Sequence, residues 1–119
     1  MGRMSTDPAE TNPNAYTVVF ENERVRVLRY HDAPGHRTTP HAHPDSVMVT
    51  LSAFERRLVA GETTRDVAMP SGLVGWLPAQ EHAGENIGAT DTEVLFVELK
   101  EPAPGGARPG PARVGPAVR

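Results

Sequence analysis

The stretch GHRTTPHAH, residues 35–43, decides what this chain can be. It ends on His41 and His43, which are two residues apart. In an extended segment such residues point to the same face, so both imidazoles could reach one point inside a barrel. Two neutral imidazoles and a third from elsewhere form the nitrogen-rich half of a site for a first-row transition metal. The alternative is an exposed loop around Pro40 and Pro44 whose histidines contact only water.

The sequence around this stretch has a hydrophobic period of two, which is typical of strands. A Gly61-Glu62 turn separates two of them, and no segment has the apolar spacing of a long helix. Seven or more short strands indicate an all-β sandwich or barrel. The predicted strands are residues 16–20, 24–30, 47–53, 54–60, 63–69, 73–77 and 92–100.

The composition of both ends differs from that of the predicted domain, residues 15–101. Residues 101–119 contain five Pro and four Gly, so we expect residues 102–119 to form a flexible tail. A basic arm for an acidic partner is the alternative interpretation of this tail. Residues 1–14 are polar, and we expect them to be flexible as well.

Several classes of protein are excluded by composition. The chain has no cysteine, so disulfides, thiolate metal sites and cysteine nucleophiles are ruled out. It has neither the basic start and apolar centre of a secretion signal nor an apolar run long enough to span a bilayer. We therefore expect a cytoplasmic location and no membrane partner. Residues 1–100 carry a formal charge of −5, which argues against nucleic acid as a partner.

Two separated motifs resemble those of the cupin superfamily. The first is Gly35, five residues, then His41-Ala-His43; the second starts at Gly72 and Pro78 and ends as His82-Ala-Gly-Glu-Asn86. The chain therefore resembles a small single-domain cupin over nearly all of residues 15–101. The resemblance implies a conical jelly-roll barrel with His41, His43 and His82 as ligands of one divalent transition metal ion.

The resemblance to cupins also implies which metals and which functions to expect. Fe(II) is the favoured metal, and Zn, Mn, Ni and Cu are also bound in the family. The first hypothesis is a mononuclear metal-dependent enzyme, either dioxygenase-like or a lyase or isomerase, that acts on a small chelating molecule. The alternative is a non-catalytic cupin that binds or senses a small ligand or carbohydrate.

The chain departs from both cupin motifs. Val47 and Met48 stand where the first motif normally has a glutamate ligand. Strand parity assigns Val47 to the inward face with the two histidines, so we place it in the substrate pocket. In the second motif Gln80 stands near the usual glycine, and we assign it to the pocket too. The local candidates for hydrogen bonds to the outer histidine nitrogens are Gln80, Glu81, Glu85 and Asn86.

The remaining predictions concern single residues and assembly. His36 is a candidate general base, with a solvated loop residue as the alternative. Trp76 is most simply a core residue, and alternatively a pocket wall that stacks on an aromatic substrate. His31 is expected at the surface. Arg56, Arg57 and Arg65 are expected on the outer face, although one turned inward could bind a carboxylate. A domain this small with open sheet edges predicts a homodimer through strands such as residues 16–20.

Overall fold

The computed structural model of the chain describes residues 5–101 and 114–116. In these residues it has one short helix and nine strands. The elements are α1 (Pro8–Thr11), β1 (Tyr16–Glu21), β2 (Val25–Asp32), β3 (His41–His43), β4 (Ser46–Thr50), β5 (Phe54–Ala60), β6 (Thr63–Met69), β7 (Val74–Leu77), β8 (Gln80–Asn86) and β9 (Thr92–Leu99). No helix of the described residues is both long enough and apolar enough to cross a bilayer.

The strands form two antiparallel sheets. The five-stranded sheet has the order β1-β2-β9-β4-β7, and the four-stranded sheet has the order β3-β8-β5-β6. The predicted all-β class is confirmed. Among the described strands, hydrogen bonding joins the chain into two separate sheets and does not close them into one barrel.

The core lies between the inner faces of the two sheets. Buried and half-buried residues alternate along β9, so that Val94 and Phe96 point inward. They pack in one cluster with Leu28 and Met48 from the same sheet and with Phe54 and Met69 from the other sheet. This burial is the main stabilising contribution, at about 1.5–3 kcal/mol for each fully buried large apolar side chain.

Two strands form where no strand was predicted, and β4 ends three residues earlier than predicted. Both β3 and β8 are histidine-bearing segments with little apolar character, so composition alone does not mark them as strands. Strand β4 ends at Thr50 rather than at residue 53, where a bend at Leu51 and Ser52 leads into β5. The predicted turn at Gly61 is confirmed, with a φ of +60°.

The segment before β1, which was expected to be flexible over residues 1–14, makes hydrogen bonds to the domain. The Asp7 side chain caps α1 by accepting a hydrogen bond from the backbone N–H of Ala9. It also binds Arg26 through two hydrogen bonds of 2.8 and 2.9 Å. Asn12 accepts the backbone N–H of Thr39 at 2.9 Å. These partners are far away in sequence, which is why composition did not reveal them. Residues 1–4 lie outside the described residues.

Three residues of the predicted C-terminal tail contact the domain. Val114 is buried, and its carbonyl accepts a hydrogen bond from Arg65. The backbone N–H of Gly115 donates to Gln80 Oε1 at 2.8 Å. The prediction of a flexible tail otherwise concerns residues 102–113 and 117–119, which lie outside the described residues.

Candidate metal centre

Two neighbouring strands carry three histidines into one cluster. His41 on β3 lies directly opposite His82 on β8, and His43 follows on the same face as His41. Their exposures are 1% for His41, 3% for His43 and 8% for His82. One ring nitrogen of each histidine lies within 4.8 Å of those of the other two. The structure therefore brings the three predicted ligands together, in a group that could hold a metal ion.

The motif glycines explain how these strands are brought into place. Gly35 has a φ of +87° and Gly72 a φ of +80°, a left-handed conformation that is unstrained only for glycine. The Gly35 N–H donates to the carbonyl of Asn86, and the N–H of Asn86 donates to the carbonyl of His36. The beginning of the first motif is thus hydrogen bonded to the end of the second.

The outer nitrogens of two histidines are held by acceptors. His41 Nδ1 lies 2.7 Å from the carbonyl oxygen of Thr39, and His82 Nδ1 lies 2.8 Å from Gln80 Oε1. A carbonyl oxygen accepts only, so Nδ1 carries the proton in both rings and the Nε2 lone pair is left for a cation. Gln80 thus orients His82, a role that was predicted among its local candidates.

The outer nitrogen of the third histidine faces a carboxylate. His43 Nδ1 is 3.9 Å from Glu98 Oε2, and these are the two buried side-chain atoms of the described residues that lack a hydrogen-bond partner. The other oxygen of Glu98 accepts from Arg26 Nε at 2.7 Å. Burial works to raise the pKa of Glu98, but the neighbouring His43 and Arg26 hold it below its usual value. An ionised Glu98 favours the proton on Nδ1, which again leaves Nε2 for a cation.

A tyrosine hydroxyl contacts two of the three histidines. Tyr16 Oη is 3.2 Å from His41 Nε2 and 3.3 Å from His43 Nε2. Tyr16 was predicted as part of an interface strand, but its side chain is only 5% exposed and packs in the core. Burial is also the main cause that raises the pKa of Tyr16 well above its usual value, so its phenol is protonated in the metal-free protein.

Burial keeps two of the three histidines uncharged. It is the main cause that lowers the pKa of His41 to about 4 and the pKa of His82 to about 2, and the neighbouring histidines lower both further. Both rings are therefore neutral near pH 7, the form that binds a metal. A group of three buried histidine nitrogens at one place fits a divalent cation.

A narrow cavity of about 50 Å³ reaches the cluster at His82 and Tyr16. Apolar side chains make up most of its wall, including Met48, Phe54 and Leu77. Gly115 and Pro116 of the C-terminal segment also line it. A water molecule needs about 10–15 Å³ of such space, so the cavity has room for only a few water molecules or for a small ligand.

Arg56 points into this cavity, so the prediction of an outer-face position is wrong for this residue. Its guanidinium donates to Asp32 at 2.7 Å, to Thr92 at 3.2 Å and to the Tyr30 hydroxyl at 3.1 Å. Asp32 also accepts from Asn86. A buried arginine is tolerated here because Asp32 neutralises its charge. Arg57, by contrast, is exposed and pairs with Asp66.

Two residues predicted for the substrate pocket lie on the other side of the sheet. Met48 lines the cavity, whereas Val47 faces outward next to its register partners Val97 and Trp76. The parity argument failed because β3 ends at His43 and a break at Pro44 and Asp45 resets the alternation. Trp76 is 39% exposed, so it neither belongs to the core nor forms a pocket wall.

The structure does not bring His36 to the metal cluster. It is half-buried in the loop before β3, and its backbone N–H donates to the carbonyl of Ala33. His36 is not among the described residues that line the cavity. This favours the alternative that His36 is a solvated loop residue rather than a general base. His31 lies at the surface beside Asp91, as predicted.

Sequence reasoning missed Tyr16 and Glu98, and underrated Arg56. One signal was available: Glu98 shares strand parity with Val94 and Phe96, and Arg56 shares it with Phe54. Parity alone does not show which polar residue is buried with a partner, because the partners are distant in sequence.

Structural comparison identifies the fold. A cupin domain from Bordetella pertussis superposes with a TM-score of 0.68 and 26% identity, over 84% of this chain and 100% of that one. This chain has the fold of a small single-domain cupin. A cupin-family protein with a double-stranded β-helix fold from Methanocaldococcus jannaschii matches with a TM-score of 0.57 and 14% identity, over 71% of the cupin described here and 77% of the other chain.

A third similar structure has a named activity. The polyketide cyclase RemF from Streptomyces resistomycificus matches this cupin with a TM-score of 0.59 and 18% identity, over 87% of this chain and 82% of RemF. At that identity the similarity shows the fold alone. No protein-family model and no curated protein matches the sequence.

Proposed function

We propose that this cupin is a metal-dependent enzyme that acts on a small chelating molecule at a single ion bound by His41, His43 and His82. One observation carries the proposal: one ring nitrogen of each histidine lies within 4.8 Å of those of the other two, while acceptors hold the outer nitrogens of His41 and His82. Hydrogen bonds that fix the tautomer of a ring are typical of histidines that bind a metal.

The three histidine ligands influence which metal ion binds and which chemistry it can support. Three neutral imidazoles suit Fe(II), which we favour, and equally suit Zn, Mn, Ni or Cu, with affinity rising towards Cu. The bound ion would supply Lewis acidity to an oxygen-bearing substrate.

The chain's own residues restrict the substrate. The apolar wall favours a compact molecule, and the cavity's small volume limits how much of it can enter. Arg56 lies in the same wall, but Asp32 already neutralises it, so the pocket does not offer a free positive charge. A small neutral or singly charged chelator with a carbonyl or hydroxyl group fits these conditions best.

We propose a dioxygenase-like oxidation as the reaction, with lyase or isomerase chemistry as the next choice. The fold similarity to a polyketide cyclase is a reason to include β-polyketones among the substrates tested. A non-catalytic binding protein is the second candidate function, because Val47 and Met48 replace the glutamate of the first motif.

Turnover separates the two candidates. Protein loaded anaerobically with Fe(II) is mixed with diketones, catechols, thiols and β-polyketones while oxygen and substrate are followed. The enzyme should consume at least one of them, and His82→Gln should abolish this whereas the surface variant His31→Gln should retain it. Ligand-induced shifts in melting temperature without turnover of any compound would support the binding protein instead.

The predicted homodimer also remains a proposal. Strand β1 is at the edge of its sheet, and Val18, Val19 and Phe20 on it are 41–53% exposed. Phe20 continues an apolar row across all five strands of that sheet, through Val27, Val97, Val47 and Trp76. A second copy of the chain would cover this row, and apolar patches of this kind are typical of interfaces.

A further inference from the structure

The hydroxyl of Tyr16 lies beside the inner ring nitrogens of two of the three histidines. It lies 3.2 Å from His41 Nε2 and 3.3 Å from His43 Nε2. The outer nitrogen of each ring faces an acceptor, which is the carbonyl of Thr39 for His41 and the carboxylate of Glu98 for His43. The Nε2 atoms beside Tyr16 are therefore the ones that the proposed ion would bind.

The distances also match those between ligands of one ion. Metal–nitrogen bonds of about 2.0–2.1 Å separate neighbouring ligand atoms by about 2.9 Å at a bond angle of about 90° and by about 3.3 Å at the tetrahedral angle. The two contacts of Tyr16 Oη are 3.2 and 3.3 Å. The tyrosine oxygen therefore already stands at ligand spacing from two of the three imidazoles.

We propose that Tyr16 is the fourth protein ligand of the metal and supplies the oxygen donor that the first motif lacks. On binding, the phenolic O–H bond breaks, the metal–oxygen bond forms and the proton leaves to solvent. The donor comes from β1, at the start of the domain, rather than from the strand after His43. This inference rests on the proposed metal site and specifies its ligand set.

A phenolate bound to Cu(II) or Fe(III) gives a visible charge-transfer absorption band that imidazole ligands do not give. The metal-free full-length protein is titrated with Cu(II), and the affinity is measured by competition with a chelator. We expect the band in the wild type, its complete loss in Tyr16→Phe, and at least a tenfold weaker affinity in that variant.

Tyr30→Phe is the matched control. Its ring stacks on Tyr16 with centroids 4.6 Å apart, but its hydroxyl is bound to Asp32 and Arg56. It should keep the band, and circular dichroism should show that both variants are folded. Stoichiometric Cu(II) binding without the band, or a band that survives in Tyr16→Phe, would overturn the role of Tyr16 and leave the three-histidine site standing. Failure of the wild type to bind any divalent metal would overturn the site itself.

Discussion

Acid should destabilise the metal-free domain through its buried histidines. Both His41 and His82 have a lower pKa in the folded protein, about 4 and about 2, than the usual value of 6.5. The unfolded chain therefore binds more protons than the folded one below pH 6.5. Stability that is fully present above pH 6.5 is lost as the pH falls towards the folded pKa values.

The size of this effect follows from the same values. Between pH 6.5 and pH 5.0 each histidine contributes 1.5 pH units at about 1.36 kcal/mol per unit, or about 2 kcal/mol. The two together remove about 4 kcal/mol from the free energy of unfolding. This is a large share of the roughly 5–15 kcal/mol that stabilises a domain. Carboxylates contribute little in this window, because their usual pKa values lie below it.

Urea unfolding followed by circular dichroism measures this loss. It is carried out at pH 7.5 and at pH 5.0 with a chelator present, on the wild type and on a His41→Gln/His82→Gln variant. The wild type should lose about 4 kcal/mol between the two pH values, and the double variant should lose much less. His31→Gln, at the surface, should behave as the wild type. Equal wild-type midpoints at both pH values would refute the reasoning.

Three further predictions test individual contacts. Glu98→Gln should weaken metal affinity about ten- to hundredfold in a chelator competition, because the histidine beside it loses its charged acceptor; unchanged affinity would contradict this. Asp32→Ala should cost about 3–5 kcal/mol in urea unfolding by leaving Arg56 unpaired, whereas Asp66→Ala at the surface should leave the midpoint in place. Light scattering should show a dimer that Phe20→Glu converts to a monomer; a wild-type monomer at micromolar concentration would argue against the interface.

The sequence predicted best what depends on local spacing. The period-two pattern predicted the all-β class, and the two-residue spacing of His41 and His43 predicted a common face, because alternation along a strand is a local property. His82 followed only through the cupin resemblance, since its place opposite His41 depends on strand pairing. The alternation of faces could not be extended across the break between β3 and β4, and the predicted inward position of Val47 was therefore wrong.

Contacts between distant segments lay beyond sequence reasoning. Arg56 and Asp32 are 24 residues apart, and the two atoms of the His43–Glu98 contact belong to β3 and β9. A charged residue on a strand is usually solvated, so an inward position becomes favourable only once its partner is known. Tyr16 was missed for the same reason, because its neighbours His41 and His43 lie 25 and 27 residues further along the chain.

Metal analysis of untagged protein tests the central claim most directly. Protein purified without a metal-affinity column is analysed by elemental mass spectrometry, beside His82→Gln and the surface control His31→Gln. We expect about one transition metal ion per chain in the wild type and in the control, and a sharp loss in His82→Gln. A folded wild type that holds no metal, and takes up none when Fe(II), Zn(II) or Cu(II) is supplied, would contradict the account.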